Sequence, residues 1–270
     1  MRIYVPSRGR ASWAFMKGAY TVMRWLTPAL KKQTVFCVRS DEVERYRQLL
    51  DDDIEVFDCG MPKNLSEKRD IIARRVALLG EKKFLMCDDD VMLYIRKSAT
   101  AFNLRYPCAS ECEYLISRIE DFLNEYPMVG VSSREGNNRA GIGPFPMIQE
   151  CTRSMRMYAF RTDDYLSIKP NRMSEMADFD TTLQFLRKGQ KNAVMFYWAQ
   201  GQPGSQHPGG CSAYRTSATH HIACLKLLEY HPDFVSIRQK QNKGDQHGFG
   251  TRTEVTVQWK KAYDHANRST

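Results

Sequence analysis

The sequence predicts an α/β protein with a central sheet and crossover helices, and two observations carry that expectation. Short runs rich in β-branched and aromatic residues alternate with segments of helical periodicity through the first half of the chain. Two of those runs end abruptly in polar residues, IYVP passing into SRGR and FLMC into DDD. In open α/β sheets ligands bind outside the carboxyl ends of the strands, so both junctions are candidate site positions. A chain of 270 residues is long enough to bury a full core, and it reads as one elaborated domain over residues 1–270.

Taken in order, Ile3 to Pro6 is a first strand and SRGR its loop. Ala14 to Leu30 has helical character, Thr34 to Val38 is apolar and β-rich, and Asp41 to Leu50 opens with an Asp suited to an N-cap. Ile54 to Phe57 makes a third strand. Leu65 to Leu79 has Ser66 as its capping residue and an apolar face of Ile71, Ile72, Val76 and Leu79. Phe84 to Cys87 then delivers the acidic triplet. Glu113 to Asn124 is amphipathic, Met128 to Ser132 is a strand, and Glu135 to Ile148 is a long loop carrying Gly, Asn and Pro. Met155 to Phe160 resumes strand character, Asp178 to Lys188 is a helix ended by Gly189, and Ala193 to Tyr197 is a strand. Two polar, flexible segments, Gly201 to Gly210 and Gln239 to Gly250, flank a helix from Thr219 to Tyr230. No internal repeat is present.

Composition narrows the class. No apolar run approaches the roughly 20 residues that span a bilayer, so no membrane partner is expected. Met1 leads straight into an apolar strand, which predicts no cleaved leader. Cys37, Cys59, Cys87, Cys151 and Cys224 sit in or beside apolar segments, and Cys108 and Cys112 lack a matching second pair for zinc. Reduced thiols and a cytoplasmic location are therefore expected. The net charge of +9 favours a polyanionic partner, although a soluble protein that is simply basic has the same charge.

The chain contains two Asp triplets. Asp51, Asp52 and Asp53 lie between a predicted helix and a predicted strand, where Asp is favoured in turns for its local backbone hydrogen bonds. Asp88, Asp89 and Asp90 instead end an apolar strand. Three adjacent carboxylates repel unless a cation neutralises them, and carboxylate oxygens suit Mg²⁺ or Mn²⁺. Mg²⁺ commonly fills its remaining positions with substrate phosphates and water, which fits a nucleotide diphosphate.

The succession of VPSRGRA, a capped helix bearing Lys68 and Arg69, DDD, and MADFDTTLQFLRKG resembles the GT-A glycosyltransferases. More narrowly it is similar to the phage enzymes that glycosylate hydroxymethylated pyrimidines in DNA, up to about Gly210. The resemblance implies a Rossmann-like, mixed central sheet flanked by helices, with a nucleotide-sugar-binding half over residues 1–130. Residues 131–270 would then form the acceptor-binding half and a flexible C-terminal segment. It implies a UDP-sugar donor such as UDP-glucose, Mn²⁺ or Mg²⁺ as cofactor, double-stranded DNA as partner, and a host cytoplasm for a phage-encoded enzyme. By resemblance, Pro6, Ser7, Arg8 and Arg10 border the nucleotide, and Lys68 or Arg69 approaches the uracil or diphosphate. As plain sequence, both could equally be exposed first-turn helix charges.

In the DXD motif of the family, Asp88 would face the ribose, Asp90 the metal, and Asp89 either. His207 in GSQHPGG is the first choice to complete the metal shell, with His247 in DQHGFG second. GVSSREGNN is similar to the acceptor-side stretch and offers Arg134, Asn137 and Asn138; a plain surface loop is the other reading. Where the family has Glu-Asp this chain has Ala177-Asp178, so Asp178 is the candidate base, with Asp180 in reserve. An N-cap role would also suit Asp178.

The implied reaction is transfer of a sugar to 5-hydroxymethylcytosine or 5-hydroxymethyluracil, with either anomeric outcome open. Basic residues at Arg139, Arg153, Arg156, Arg161, Arg172, Arg187, Lys188 and Lys191 are candidates to hold DNA phosphates, and Phe145, Tyr214 or Phe249 to stack on a flipped base. Competing readings are transfer to a protein or polysaccharide, a non-catalytic nucleic-acid-binding relative, and a metal-dependent nuclease.

Overall fold

The computed structural model describes residues 1–137, 147–203, 210, 215–241 and 250–268. The strands of the first half fall where apolar patterning puts them: β1 (Arg2–Pro6), β2 (Thr34–Val38), β3 (Glu55–Asp58) and β4 (Lys83–Cys87). They are joined by α1 (Trp13–Met16), α2 (Pro28–Lys31), α3 (Val43–Leu49) and α4 (Leu65–Leu78). Next come β5 (Met92–Arg96), β6 (Leu104–Arg105), α5 (Ala109–Phe122), β7 (Met128–Ser133), β8 (Ile148–Glu150) and β9 (Met157–Arg161). The rest comprises α6 (Thr162–Leu166), α7 (Ala177–Arg187), β10 (Ala193–Gly201), α8 (Ser217–Tyr230), β11 (Val235–Gln241), β12 (Thr251–Val257) and α9 (Trp259–Arg268).

The main sheet runs β3-β2-β1-β4-β9-β7-β10-β5-β6, with β8 also paired to β10. β1 is parallel to β2 and β4, whereas β9 is antiparallel to both β4 and β7. The sheet is therefore mixed, as expected. Side chains alternate between two cores. Ile3, Val5, Leu85 and Cys87 pack on one face with Leu115, Ile116 and Ile119 of α5. Tyr4, Phe84 and Met86 pack on the other with Ile72 and Val76 of α4 and Phe185 of α7. A third core joins Leu183 and Leu186 of α7 to α8, the β11–β12 hairpin and Ala262 of α9.

Several local expectations change. The stretch from Ala14 to Leu30 is broken into α1, a 3-10 turn at Val22–Arg24 and α2, because Thr21 and Thr27 each cap a new start and Pro28 has no N–H to continue a helix. Asp41 caps nothing; it pairs with Arg39 at 2.9 Å, and the short 3-10 turn Ser40–Glu42 precedes α3. Asn64 rather than Ser66 caps α4, its side chain accepting from the Glu67 N–H at 3.0 Å. Asp51, Asp52 and Asp53 are an exposed turn. Gln239 to Gln241, expected to be flexible, belong to β11. The seven described cysteines are all free, and no helix among the described residues is long and apolar enough to cross a membrane.

Candidate functional site

A cleft of about 280 Å³ opens along the edge where β1 and β4 end and β9 begins. The loop after β1, the acidic triplet after β4, the first turn of α4 and the start of α7 converge on it. The antiparallel insertion of β9 explains part of this convergence. Cys87 is registered against Met157, and the Asp88 N–H donates to the Arg156 carbonyl at 2.8 Å, so residues 153–156 reach the same edge as the triplet.

Each carboxylate of the triplet meets a cation from the chain itself. Arg10 donates to Asp89 and, at 2.9 Å, to Asp90, while Arg69 donates to Asp88 at 2.7 Å. Ser7 adds a hydrogen bond to Asp89 and lies 2.5 Å from the Tyr46 hydroxyl. Burial raises Asp89 to about 7 against the pull of Arg10, and burial likewise raises Asp90. Burial works against the Arg10 charge, yet Asp89 and Asp90 outweigh it and raise the guanidinium. Arg10 and Arg69 thus supply part of the neutralisation that the sequence argument gave to a metal, while Asp90 still raises Asp89 and Asp88 still raises Asp90.

Lys68 and Arg69 are buried, not exposed first-turn charges. Lys68 Nζ donates to the Ser7 and Cys37 carbonyls, tying the loop after β1 to the end of β2, and burial lowers its pKa. Its ammonium is engaged by the chain and acts as a brace for the loop. Arg69 also lies over the Tyr158 ring at 5.2 Å, which fixes the guanidinium beside Asp88.

On the opposite wall α7 begins at Ala177 from a left-handed Met176 with φ 58°, so Asp178 lies inside the first turn and is not the N-cap. Asp178 Oδ2 accepts from Arg153 Nε at 3.1 Å and Nη2 at 2.9 Å, and that guanidinium lies 3.8 Å from the Phe179 ring centre. Asp180 is committed elsewhere: it pairs with Arg172 and accepts from His231 Nε2 at 2.8 Å in a buried cluster. It is not a reserve base.

The cleft gathers Pro6, Ser7, Arg8, Arg10, Lys68 and Arg69 with Asp88, Asp89, Asp90 and Asp178. The acceptor-side candidates do not join them. Asn137 is buried, its amide donating to the Ser132 hydroxyl at 2.7 Å and the Phe196 carbonyl at 2.8 Å, which makes it a strut of the sheet. Arg134 donates to the Tyr94 hydroxyl at 3.1 Å and lies over that ring, outside the cleft. Asn138, His207, His247, Arg139, Phe145, Tyr214 and Phe249 lie outside the described residues. Much of the presumed phosphate-binding set is used internally: Arg161 pairs with Asp164, Arg172 with Asp180 and Lys191 with Glu150, while Arg187 and Lys188 donate to the Tyr230 and Ser167 carbonyls.

Glu175 and Arg215, which no expectation named, line the cleft, and so do Arg153 and Arg156, expected as holders of DNA phosphates. Arg156 takes a left-handed backbone, φ 64°, and its guanidinium stands 3.6 Å from Glu135 and 3.4 Å from Gln200. No sequence pattern marks that conformation. Glu175 had a readable signal, an acid two residues before the alanine at the expected glutamate position.

A model of the TET-associated glycosyltransferase family matches residues 1–210, a span that holds the whole described cleft except Arg215. The chain belongs to that family. As a TET-associated glycosyltransferase it has the α/β architecture with a mixed sheet that the sequence led us to expect. No curated protein matches it. It is similar to the solved structure of S. aureus TarS 1-349 in complex with UDP-GlcNAc, at 12% identity and a TM-score of 0.46, over 84% of this chain and 67% of that one. A mycobacterial protein matches at 9% identity and 0.49, over 95% and 83%. The CMP:2-keto-3-deoxy-manno-octonic acid synthetase complexed with CTP matches at 13% and 0.42, over 84% and 98%.

Proposed function

We propose that this glycosyltransferase moves a sugar from a UDP-sugar to the hydroxyl of a hydroxymethylated pyrimidine in DNA. The observation that carries the donor half is the arrangement of Arg8, Arg10 and Arg69 with Asp88, Asp89 and Asp90 at the carboxyl edge of the sheet. Forked guanidinium donors suit diphosphate and base oxygens, and the TarS structure similar to this chain is a complex with UDP-GlcNAc. The acceptor half is supported by the resemblance to phage DNA glycosyltransferases and by the net charge of +9.

The donor set also fits a hard divalent cation. Among the described residues no three acidic, His or Cys groups form a ligand cluster. One carboxylate on the cleft wall, Asp90, with diphosphate oxygens and water, would nevertheless make a shell that Mg²⁺ or Mn²⁺ commonly takes. When bound there, such an ion supplies Lewis-acid neutralisation of charge on the departing diphosphate. Lys68 and Ser7 hold the loop that faces the nucleotide, Arg10 orients Asp89 and Asp90, and Arg69 keeps Asp88 turned to the ribose side. A carboxylate on the α7 wall takes the proton of the attacking hydroxyl, Asp178 being the one in the family position.

The test is a panel of UDP-sugars against DNA containing 5-hydroxymethylcytosine or 5-hydroxymethyluracil, read by mass. A hexose- or pentose-sized shift that Asp90→Ala abolishes is expected, and EDTA should remove it with Mn²⁺ or Mg²⁺ restoring it. No shift with any pair overturns the DNA acceptor. Nicking of plasmid DNA in Mg²⁺ without UDP-sugar turnover overturns glycosyl transfer.

A further inference from the structure

We infer that Glu175, not Asp178, is the carboxylate that takes the proton of the acceptor hydroxyl. The inference rests on the glycosyl-transfer reading above and reassigns its base. Glu175 lies on the cleft wall immediately before the left-handed Met176 that starts α7. Its side chain is only 3% exposed, yet neither Oε1 nor Oε2 accepts a hydrogen bond among the described residues. Arg215 Nε stands 3.4 Å from Oε2 and His220 Nδ1 3.9 Å, close enough to hold the charge but not hydrogen-bonded to it.

The other acids of the cleft are spoken for. Asp88 accepts from Arg69, Asp89 from Arg10 and Ser7, Asp90 from Arg10, and Asp178 Oδ2 from two nitrogens of Arg153. A buried carboxylate with open lone pairs is costly to keep, and such groups persist where a ligand supplies the missing donor. An acceptor hydroxyl entering the cleft is that donor. Its oxygen attacks the anomeric carbon, the bond from that carbon to the diphosphate breaks with its electron pair leaving on the diphosphate, and the proton passes to a Glu175 oxygen. Asp178 then serves as a positioning residue, holding Arg153 against Phe179.

The experiment compares wild type, Glu175→Gln and Asp178→Asn for UDP affinity by calorimetry, Tm, and kcat and KM for UDP-sugar turnover, with DNA or water as acceptor. Glu175→Gln should keep UDP affinity and donor KM within roughly twofold while kcat falls by about 10²–10⁴-fold, the span of general base catalysis. Its Tm should not fall, because a buried charge without hydrogen bonds is being neutralised. Asp178→Asn should lose less kcat than Glu175→Gln. Wild-type kcat in Glu175→Gln overturns the assignment, and so does a loss of kcat accompanied by lost UDP binding and a lowered Tm, the pattern of a structural carboxylate. A wild-type protein that neither binds UDP nor turns over any UDP-sugar overturns the donor reading itself, and the base assignment falls with it.

Discussion

Arg10 stands between Asp89 and Asp90 with only a tenth of its side chain exposed, and the two acids are as deeply buried. Removing one partner of such a buried cluster leaves uncompensated charge, so Arg10→Ala should lower the unfolding free energy by about 3–5 kcal/mol, measured by urea titration near neutral pH. His231 makes a second residue-scale prediction. It donates from Nε2 to Asp180 and accepts from Arg187 at Nδ1, 3.1 Å away, the pattern of a neutral ring. Burial depresses His231 despite the pull of Asp180, and Asp180 is itself held below the usual range by His231 and Arg172, which outweigh its burial. For both groups the unfolded chain takes up the proton first. The Asp180 contribution is lost only below the ordinary Asp value near 3.8, whereas that of His231 is present above the ordinary His value near 6.5 and is lost as pH falls below it. Stability should decline below that pH, and His231→Gln should flatten the part of the decline nearest 6.5 in denaturant titrations across pH.

At this scale the triplet was legible because a run of apolar residues stops at three acids, a pattern visible without coordinates. The partners of those acids were only half legible. Arg10 and Arg69 could be placed near the site, but which carboxylate each would neutralise depends on loop geometry that no spacing encodes. Asn137 shows the opposite failure: a polar residue in a Gly-containing stretch looked available, yet its buried amide donates to the Phe196 and Trp198 carbonyls.

Among elements, α4 depends on its cap. Asn64→Ala removes the acceptor for the Glu67 N–H and should cost about 1 kcal/mol in equilibrium unfolding. Because Lys68 and Arg69 follow within the same turn and the next, it should also weaken UDP binding. Gly130 in β7 is a tighter constraint. A Cβ there would stand 1.8 Å from the Ser154 Oγ, in a position where Ser154 is itself buried. Gly130→Ala should therefore destabilise by about 1–3 kcal/mol through overpacking, and adding Ser154→Gly should recover most of the lost Tm. The first-half strands were legible from apolar runs of four or five residues. β5 was not, since MLYIR follows the triplet with no spacer beyond Val91 and finds its partner in β10, about a hundred residues on. The β11–β12 hairpin escaped notice because its residues are largely polar.

For the molecule as a whole, the family match stops at residue 210, but the packing does not. Leu183 and Leu186 of α7 are covered by Cys224 and Leu227 of α8, Val235 and Val255 of the hairpin, and Ala262 of α9. A chain truncated after residue 210 would uncover that apolar face, so it should aggregate or show a clearly lower Tm than the full chain. The α/β class was legible from alternation of strands and helices, whereas the strand order was not, because β9 joins the sheet between two strands that precede it in sequence.

That insertion has a consequence during synthesis. β4 pairs with β1 on one side and with β9 on the other, and Met157, opposite Cys87, is made 70 residues later. At about 5–20 residues per second, the second edge of FLMC waits roughly 4–14 s for its partner. Through that interval the nascent chain presents an apolar strand edge to its surroundings, the kind of surface on which growing chains pair with one another. A protein built this way should gain more from slow, dilute expression or a chaperone than its final stability would suggest.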